Sequence, residues 1–230
     1  MNKYIYILSV LVFVIGCKNH SSSYQEKESR LQIIQKPIIW DNIRDSLSLD
    51  YMRIHHNMER AEPIIVPQMV VVHWTAIKTF EGSFRAFNSV LLPGREKLQK
   101  ASPLNVSVQY LIDQDGKIYQ LTPDNRFCRH VIGLNHCAIG IENVGNGSTH
   151  PLTEAQLESN IALIKQLKLK HNKIEYVIGH HEYRNFNGTP LYIETDTSYY
   201  TRKSDPGDDF MDRIHEGLND RSFKRASDIK

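Results

Sequence analysis

The run Val70-Val71-Val72-His73 is a short apolar segment that ends in a histidine, and the pattern returns as Tyr176-Val177-Ile178-Gly179-His180. Short runs rich in Val and Ile are typical of buried strands. Pro63 and Pro67 precede the first run and mark where it can begin. Each histidine is therefore expected where a central strand reaches the rim of a sheet.

The rest of the chain alternates between strand and helix patterns. Residues 106–112 and 117–121 flank an Asp-Gly pair, which favours a tight antiparallel hairpin, and residues 137–144 form another apolar run. Helical periodicity with start signals is found over residues 153–170 and 208–218. This order predicts an α/β fold, with a central mixed β-sheet flanked by helices.

Length and charge narrow the class of protein. The chain has 230 residues, 40% of them hydrophobic, which suffices for one domain with its own core and some extensions. The net charge is +2, and no block of basic residues with interleaved aromatics occurs. We therefore expect no nucleic-acid partner, and we expect a monomer.

The first residues have the pattern of a secretion signal. Lys3 precedes an apolar run over residues 4–15, which is short for a membrane span and ends at Gly16-Cys17. This resembles a bacterial lipoprotein signal, in which residues 1–16 are removed and Cys17 carries the lipid. An ordinary signal peptide or a short anchor is the alternative.

The lipoprotein interpretation predicts where the protein is located in the cell and how its segments are arranged along the chain. Cys17 would hold the protein in the bacterial cell envelope by its acyl chains alone, and Lys18 favours the outer membrane because inner-membrane retention is associated with an acidic residue there. Residues 17–30 would be the lipidated cysteine and a polar tether, and residues 31–66 an N-terminal extension with helical spacing. Residues 219–230 form a charged tail that we expect to fray.

Two further cysteines, Cys128 and Cys137, follow in the mature chain. A disulfide between them is permitted outside the cytoplasm, but a chain of this size does not need one. Cys137 starts an apolar run, where a buried free thiol is the default. Both states stay open on the sequence alone.

The strand-end histidines and a downstream carboxylate make a candidate metal site. His73 and His180 offer imidazoles, and Asp205 lies in Lys203-Ser204-Asp205-Pro206-Gly207. Three such ligands leave the fourth position of a tetrahedral zinc open, which is typical of catalytic sites. The alternatives are buried structural histidines and an Asp205 that caps the following helix.

Five motifs occur in order: His73-Trp74-Thr75-Ala76, residues 109–121, Ile139-Gly140-Ile141-Glu142, Gly179-His180 and Lys203-Ser204-Asp205-Pro206-Gly207. The series resembles the type 2 N-acetylmuramoyl-L-alanine amidases, the zinc amidases related to peptidoglycan recognition proteins. The resemblance covers residues 67–218, which we take as a single amidase domain, and five motifs in register are far more specific than one. With a lipid-anchored cysteine, it extends to the lipoprotein branch of those amidases.

The resemblance implies a role for each motif residue. His73, His180 and Asp205 would bind one Zn²⁺ ion. Glu142 would move protons between the attacking water and the leaving amine, and Lys203 would stabilise the negative oxygen of the intermediate. The substrate would be peptidoglycan or a muropeptide, cut at the amide between N-acetylmuramic acid and L-alanine.

The chain departs from the family pattern in places that bear on the substrate. Residues 184–200 lengthen the connection between His180 and Lys203 and are expected to form a lid or a wall of the groove. Trp74 and His130 are candidate substrate contacts, although Arg129 stands where an aromatic residue usually precedes the groove histidine. His181 follows His180, and on a strand it would face the opposite way.

Two other functions compete with the enzyme. Recognition relatives that have lost zinc ligands bind muropeptides without cutting them, and this chain retains all three candidate ligands. A different zinc hydrolase, or a structural lipoprotein that uses zinc for stability, is a more distant alternative. A site closed by a fourth protein ligand would indicate it, and the sequence offers no obvious fourth. Val108 stands where phage-type relatives carry a catalytic tyrosine, which places proton transfer on Glu142 alone.

Overall fold

Six strands form one sheet in the order β1-β4-β3-β5-β2-β6 in the computed structural model, which describes Met1 and residues 31–229. Strands β3 and β4 pair antiparallel and the other neighbours pair parallel, so the predicted mixed sheet is confirmed. The proposed signal and lipidation site at Cys17 lie outside the described residues. The strands are β1 (Ile33–Gln35), β2 (Met69–Trp74), β3 (Tyr110–Ile112), β4 (Ile118–Gln120), β5 (Ala138–Asn143) and β6 (Tyr176–Gly179).

Helices cover the sheet, as the sequence predicts. The α-helices are α1 (Asn42–His56), α2 (Phe80–Asn88), α3 (Glu96–Ala101), α4 (Glu154–Lys170) and α5 (Asp208–Leu218). Short 3-10 helices span His180–Phe186 and Ala226–Asp228. The described helices include none with the length and apolar character needed to cross a membrane.

The two faces of β2 pack into different clusters, which explains its uninterrupted apolar run. Val70 and Val72 pack with α4 and α5, whereas Met69 and Val71 pack against the 3-10 helix His180–Phe186. Buried on both faces, this strand and its neighbours are fixed in register. Rigid strands then hold whatever side chains follow at their carboxyl ends.

Helix α4 and the hairpin form where the sequence predicts them. Thr153 and Gln156 make the reciprocal capping box at the start of α4. Strands β3 and β4 are joined through Gly116, whose φ of 82° requires a residue without a Cβ. At these two positions the local sequence signals therefore predict the backbone conformation correctly.

The N-terminal extension is more than a helix packed on the domain. Strand β1 pairs with β4 through Ile33 and Ile118, so the extension supplies the edge strand of the sheet. Helix α1 is held by Arg44, whose buried guanidinium donates to the carbonyl of Ser89 at 2.6 Å. A three-residue strand carries too little periodicity to be detected in the sequence.

The tail is also part of the fold, and the prediction that it frays is wrong. Phe223 and Ala226 are buried, and Lys224 bridges to Tyr176 at the free edge of β6. Most of the charged residues around them are exposed, and this charged composition is what suggested a frayed tail. Two buried side chains and one bridge are enough to order it.

Candidate metal centre and active site

Three parallel strands, β5, β2 and β6, deliver the candidate site residues to one edge of the sheet. His73 lies near the end of β2 and is paired in register with Glu142 of β5. His180 follows β6 directly, as the first residue of the 3-10 helix. Because neighbouring parallel strands end at the same edge, residues far apart in sequence meet here.

His73, His180 and Asp205 form a compact buried cluster. His180 Nδ1 lies 2.8 Å from His73 Nδ1 and 2.9 Å from Asp205 Oδ2, and His73 Nδ1 lies 3.3 Å from the same oxygen. One ligand atom from each residue lies within 4.8 Å of the others. Helix α5 is capped at Gly207, so Asp205 is not its N-cap.

The donor set of this cluster suits zinc. Burial lowers the pKa of His73 to about 4, and burial also lowers the pKa of His180, so both imidazoles are neutral and offer lone pairs. Burial opposes ionisation of Asp205, but its close contacts with His180 and His73 outweigh burial and lower its pKa. Two imidazoles and one carboxylate, with no fourth such ligand grouped with them among the described residues, leave a coordination position open.

His130 lies directly behind His73. The Nε2 atom of His130 lies 3.3 Å from the carbonyl of Ala138, and its Nδ1 lies 3.0 Å from His73 Nε2. If His130 donates to that carbonyl from Nε2, its Nδ1 accepts the proton of His73 Nε2, which leaves His73 Nδ1 unprotonated towards the cluster. A Cβ at Gly140 would lie 2.9 Å from the His130 ring, so a glycine is needed for this approach.

Glu142 is a largely buried carboxyl beside the cluster. Its Oε2 has no hydrogen-bond partner among the described residues. Burial, with the negative charge of Asp205 as a second cause, raises the pKa of Glu142 to about 8. A carboxyl with a pKa in this range can both accept and return a proton near neutral pH.

A cavity of about 190 Å³ lies in front of the cluster and brings the other predicted residues together. Glu142, Lys203 and Trp74 line it with the cluster residues His180 and Asp205. The positive charge of Lys203 acts on Glu142 and lowers its pKa, against the stronger effect of burial. The structure thus gathers the predicted residues at one cavity, while their individual roles stay predictions.

His181 turns away from the cluster, but for a different reason than predicted. It lies in a 3-10 helix instead of on a strand, with Nδ1 3.0 Å from the carbonyl oxygen of Asp205 and Nε2 2.8 Å from Asp208 Oδ1. These contacts tie the 3-10 helix to the start of α5. His181 therefore helps to hold the segment that carries Asp205.

The insertion after the 3-10 helix forms a wall of the groove. The backbone N–H of Thr195 donates to the backbone carbonyl of His55 in α1 at 3.1 Å, and the hydroxyl of Tyr199 accepts from Arg129 at 2.9 Å. Arg95, in the loop before α3, also lines the cavity. Sequence patterns do not single out Arg95, because it lies in a segment without periodicity, whereas Tyr199 belongs to the insertion that was expected to form a lid or a wall.

Cys128 and Cys137 are separate buried thiols and are not paired. Burial raises the pKa of Cys128 to about 11 and that of Cys137 to about 12, which keeps both protonated. The hydroxyl of Thr122 lies 3.2 Å from Cys128 Sγ. Neither cysteine contributes to the metal cluster.

Comparison with known proteins places the chain in a family. The sequence profile of the family described as N-acetylmuramoyl-L-alanine amidase, Amidase_2, matches residues 61–208, more than half of the chain. The chain belongs to this amidase family. The match contains every residue of the cluster, together with Glu142 and Lys203, and it begins close to the predicted boundary at residue 67.

Solved structures share the amidase fold at low sequence identity. The N-acetylmuramoyl-L-alanine amidase LysC of Clostridium intestinale URNW is 22% identical, with a TM-score of 0.51, over 82% of this chain and 97% of that one. AmpD is 21% identical, with a TM-score of 0.52, over 81% of this chain and 94% of that one. No curated protein matches the sequence.

Proposed function

We propose that this protein is a zinc-dependent N-acetylmuramoyl-L-alanine amidase, which hydrolyses the amide between N-acetylmuramic acid and L-alanine in peptidoglycan or muropeptides. The observation that carries the proposal is the buried cluster of His73, His180 and Asp205 beside a cavity that is lined by Glu142 and Lys203. Membership of the amidase family supports the same chemistry.

Each side chain at the cavity has a part in the hydrolysis. His73, His180 and Asp205 would hold the zinc, which when bound supplies Lewis acidity and lowers the pKa of a water at its open position. Glu142 accepts a proton from the attacking water as oxygen adds to the amide carbon. Lys203 stabilises the negative charge that develops on the carbonyl oxygen.

The second half of the reaction returns the proton. As the carbon–nitrogen bond breaks, Glu142 donates its proton to the departing L-alanine nitrogen, so the products are the free lactyl carboxylate and a peptide amine. One buried carboxyl serves both transfers because burial brings its pKa close to the working pH. Val108, at the position where phage-type relatives carry a catalytic tyrosine, is buried and cannot carry a proton.

A muropeptide-binding module without activity is the second candidate. The fold is compatible with it, but a module of this kind has no use for a buried, unpartnered carboxyl beside an intact ligand set. An unpaired buried polar group carries a desolvation cost of about 1–3 kcal/mol. Glu142 therefore favours the enzyme.

The proposal is tested by mass spectrometry of muropeptides and purified peptidoglycan after incubation with the protein. We expect free stem peptide to appear, to stop with a chelator and to return with zinc. Glu142→Gln should reduce the rate by roughly 10²- to 10⁴-fold, as for a lost general base. Intact substrate in every condition, with muropeptide still bound, would support the binding module instead.

We also propose that Cys17 is lipidated and holds the enzyme in the bacterial envelope, at the outer membrane in preference to the inner one. The support is the sequence pattern of residues 3–18 alone. Metabolic labelling with a fatty acid, followed by membrane fractionation, tests it. Label that persists in a Cys17→Ala variant would contradict the proposal.

A further inference from the structure

A second pair of histidines lies at the opposite end of the sheet from the zinc site. His56 is the last residue of α1, His136 lies in the turn before β5, and their ring centroids are 4.9 Å apart. His136 lines a cavity of about 330 Å³ together with Gln68, the residue before β2, whereas His73 lies near the other end of that strand. Five residues of a strand span about 16 Å, so the two pairs of histidines belong to separate places.

His56 presents one ring nitrogen that is free to bind a ligand. Burial lowers the pKa of His56 to about 3, so its ring is neutral and carries one proton. Its Nδ1 lies 2.7 Å from the carbonyl oxygen of Ile193, which can only accept, so Nδ1 holds that proton. Nε2 is therefore unprotonated, and it is buried without a hydrogen-bond partner among the described residues. Metal-bound histidines typically have this arrangement, with the second ring nitrogen donating to a carbonyl.

His136 offers a second free nitrogen beside the first ring. Its Nδ1 is also buried, and it has no hydrogen-bond partner within the described part of the chain. Burial lowers the pKa of His136 to about 4, so the ring is neutral and can present a lone pair. Two buried polar atoms left unpaired are costly to the fold, and one ion bound between the two rings would satisfy both.

Two methionines bring thioether groups to the same place. Met52 and His56 are four residues apart in α1, so they lie on one face of the helix. Asn57 ends the helix with a φ of 51°, and the N–H of Met58 then donates to the carbonyl of Met52 at 3.1 Å. This bond turns the chain back and places Met58 beside the last turn of the helix. Met52, Met58 and His136 line the same cavity.

These four side chains form a soft and uncharged set of donors. Thioether sulfur and imidazole nitrogen suit Cu(I), whereas Mg²⁺ and Ca²⁺ require oxygen ligands. The described residues that line the cavity include no carboxylate, which favours a monovalent ion over a divalent one. Exposed side chains, among them Arg60 and Val66, also line the cavity, so an ion can enter from solvent.

We propose that His56, His136, Met52 and Met58 form a binding site for one Cu(I) ion. His56 Nε2 and His136 Nδ1 supply the nitrogen ligands, and the two methionines supply sulfur. The ion takes the place of the hydrogen-bond partners that both ring nitrogens lack. The proposal does not depend on the amidase activity, because none of these four residues belongs to the zinc site.

The test titrates Cu(I) without oxygen into the full chain, in competition with the chromogenic ligand bicinchoninate. The protein is first incubated with zinc and freed of the excess, so that the other cluster is filled, and it carries Cys17→Ala to remove a competing thiol. We expect one Cu(I) per chain, with nitrogen and sulfur ligands together in X-ray absorption. No binding, or a spectrum with only one of these two ligand types, would overturn the site.

Substitutions assign the ion to these side chains. His136→Gln should lower the affinity for Cu(I) by roughly 100-fold or more, because even outer partners of metal ligands contribute 10- to 100-fold. Met58→Leu, which nearly conserves volume, should lower it by roughly 10-fold and remove sulfur from the spectrum.

His150→Gln, at another half-buried histidine, is the matched control and should keep the full affinity. Unchanged circular dichroism shows that each variant is folded. Unchanged affinity in His136→Gln would overturn the proposal. Loss of binding in Cys137→Ala would assign the ion to a thiol and would overturn it as well.

Discussion

At the scale of single residues, the site is built from groups that folding alone would not favour. Glu142 is a buried carboxyl without a partner, and His73 and His180 are buried imidazoles kept neutral. Each of these has a pKa displaced by burial, which is common at functional sites. Removing such a group should therefore affect stability and activity in opposite directions.

Glu142→Gln is expected to stabilise the zinc-free protein. The pKa of Glu142 is raised from 4.5 to about 8 in the folded state, so the folded state binds more protons and stability falls as pH rises through this range. The glutamine of the variant does not titrate, so the variant avoids this decrease in the free energy of unfolding, which amounts to at most about 1.4 kcal/mol per pH unit. Urea unfolding with a chelator present should show a gap that grows from pH 5 to pH 8, and a gap independent of pH would contradict the burial argument.

His130 should act on the metal through His73. Second-layer partners of metal-bound histidines typically change metal affinity by 10- to 100-fold when removed. We expect His130→Ala to lower zinc affinity by roughly that factor, measured by competition with a chromogenic chelator. His150→Ala, a histidine outside the cluster, is the control, and equal affinities of the two variants would rule out this positioning role.

At the scale of elements, the sequence predicted what local signals and burial decide and missed what tertiary contacts decide. Strand β2, the hairpin at Gly116 and helix α4 are confirmed, because apolar runs, turn residues and caps act within a few residues. Strand β1 and the packed tail went unrecognised, since each is ordered by a partner far away in sequence. For the same reason His73 and His180 could be singled out, whereas Arg95 could not.

Helix α1 ends in two adjacent histidines, His55 and His56, whose pKa values are shifted in opposite directions. His55 has an acceptor at each ring nitrogen, Glu194 Oε1 at 2.8 Å and the carbonyl of Ala101 at 3.0 Å, and these raise its pKa although burial opposes them. His56 has one acceptor and lies against His136, and burial lowers its pKa to about 3. Helix α1 therefore contacts the groove wall through His55, whose charged form is favoured, and through His56, whose neutral form is favoured.

Substitution of these two histidines should show opposite pH dependence. The contribution of His55 is complete below the unfolded pKa near 6.5 and is lost as pH rises through its raised folded pKa. The contribution of His56 is complete above 6.5 and is lost as pH falls, by up to about 1.4 kcal/mol per pH unit. In urea unfolding, the deficit of His55→Gln should therefore shrink at alkaline pH and that of His56→Gln at acidic pH, and deficits that change in the same direction would contradict these assignments.

The tail should contribute measurably to stability. Phe223 is 7% exposed and packs into the cluster that contains α4 and α5. Phe223→Ala should cost about 3 kcal/mol, the range for a buried aromatic truncated to alanine. Arg221→Ala, two residues earlier and exposed, should change the free energy of unfolding by less than about 0.5 kcal/mol. A similarly small effect of both substitutions would indicate that the tail is frayed and would contradict its packing on the domain.

At the scale of the whole molecule, a core of parallel strands positions the candidate site, and the segments around it shape access to that site. Residues from Leu31 onward form one compact unit, in which the ends of β5, β2 and β6 fix the cluster. Helix α1 and the insertion after His180 together build one wall of the groove. Substrate choice should therefore be set by that wall, and the proposed reaction by the residues at the strand ends.

We propose above that one zinc ion, held by His73, His180 and Asp205, makes the protein an amidase. The most direct measurement titrates zinc into the metal-free protein and follows the release of stem peptide from a muropeptide at each step. We predict that the rate rises linearly and reaches its maximum at one zinc per chain, and that Asp205→Asn lowers the affinity for zinc. Peptide release that is already complete without zinc would contradict zinc dependence. A protein that binds one zinc and releases no peptide would contradict the amidase activity.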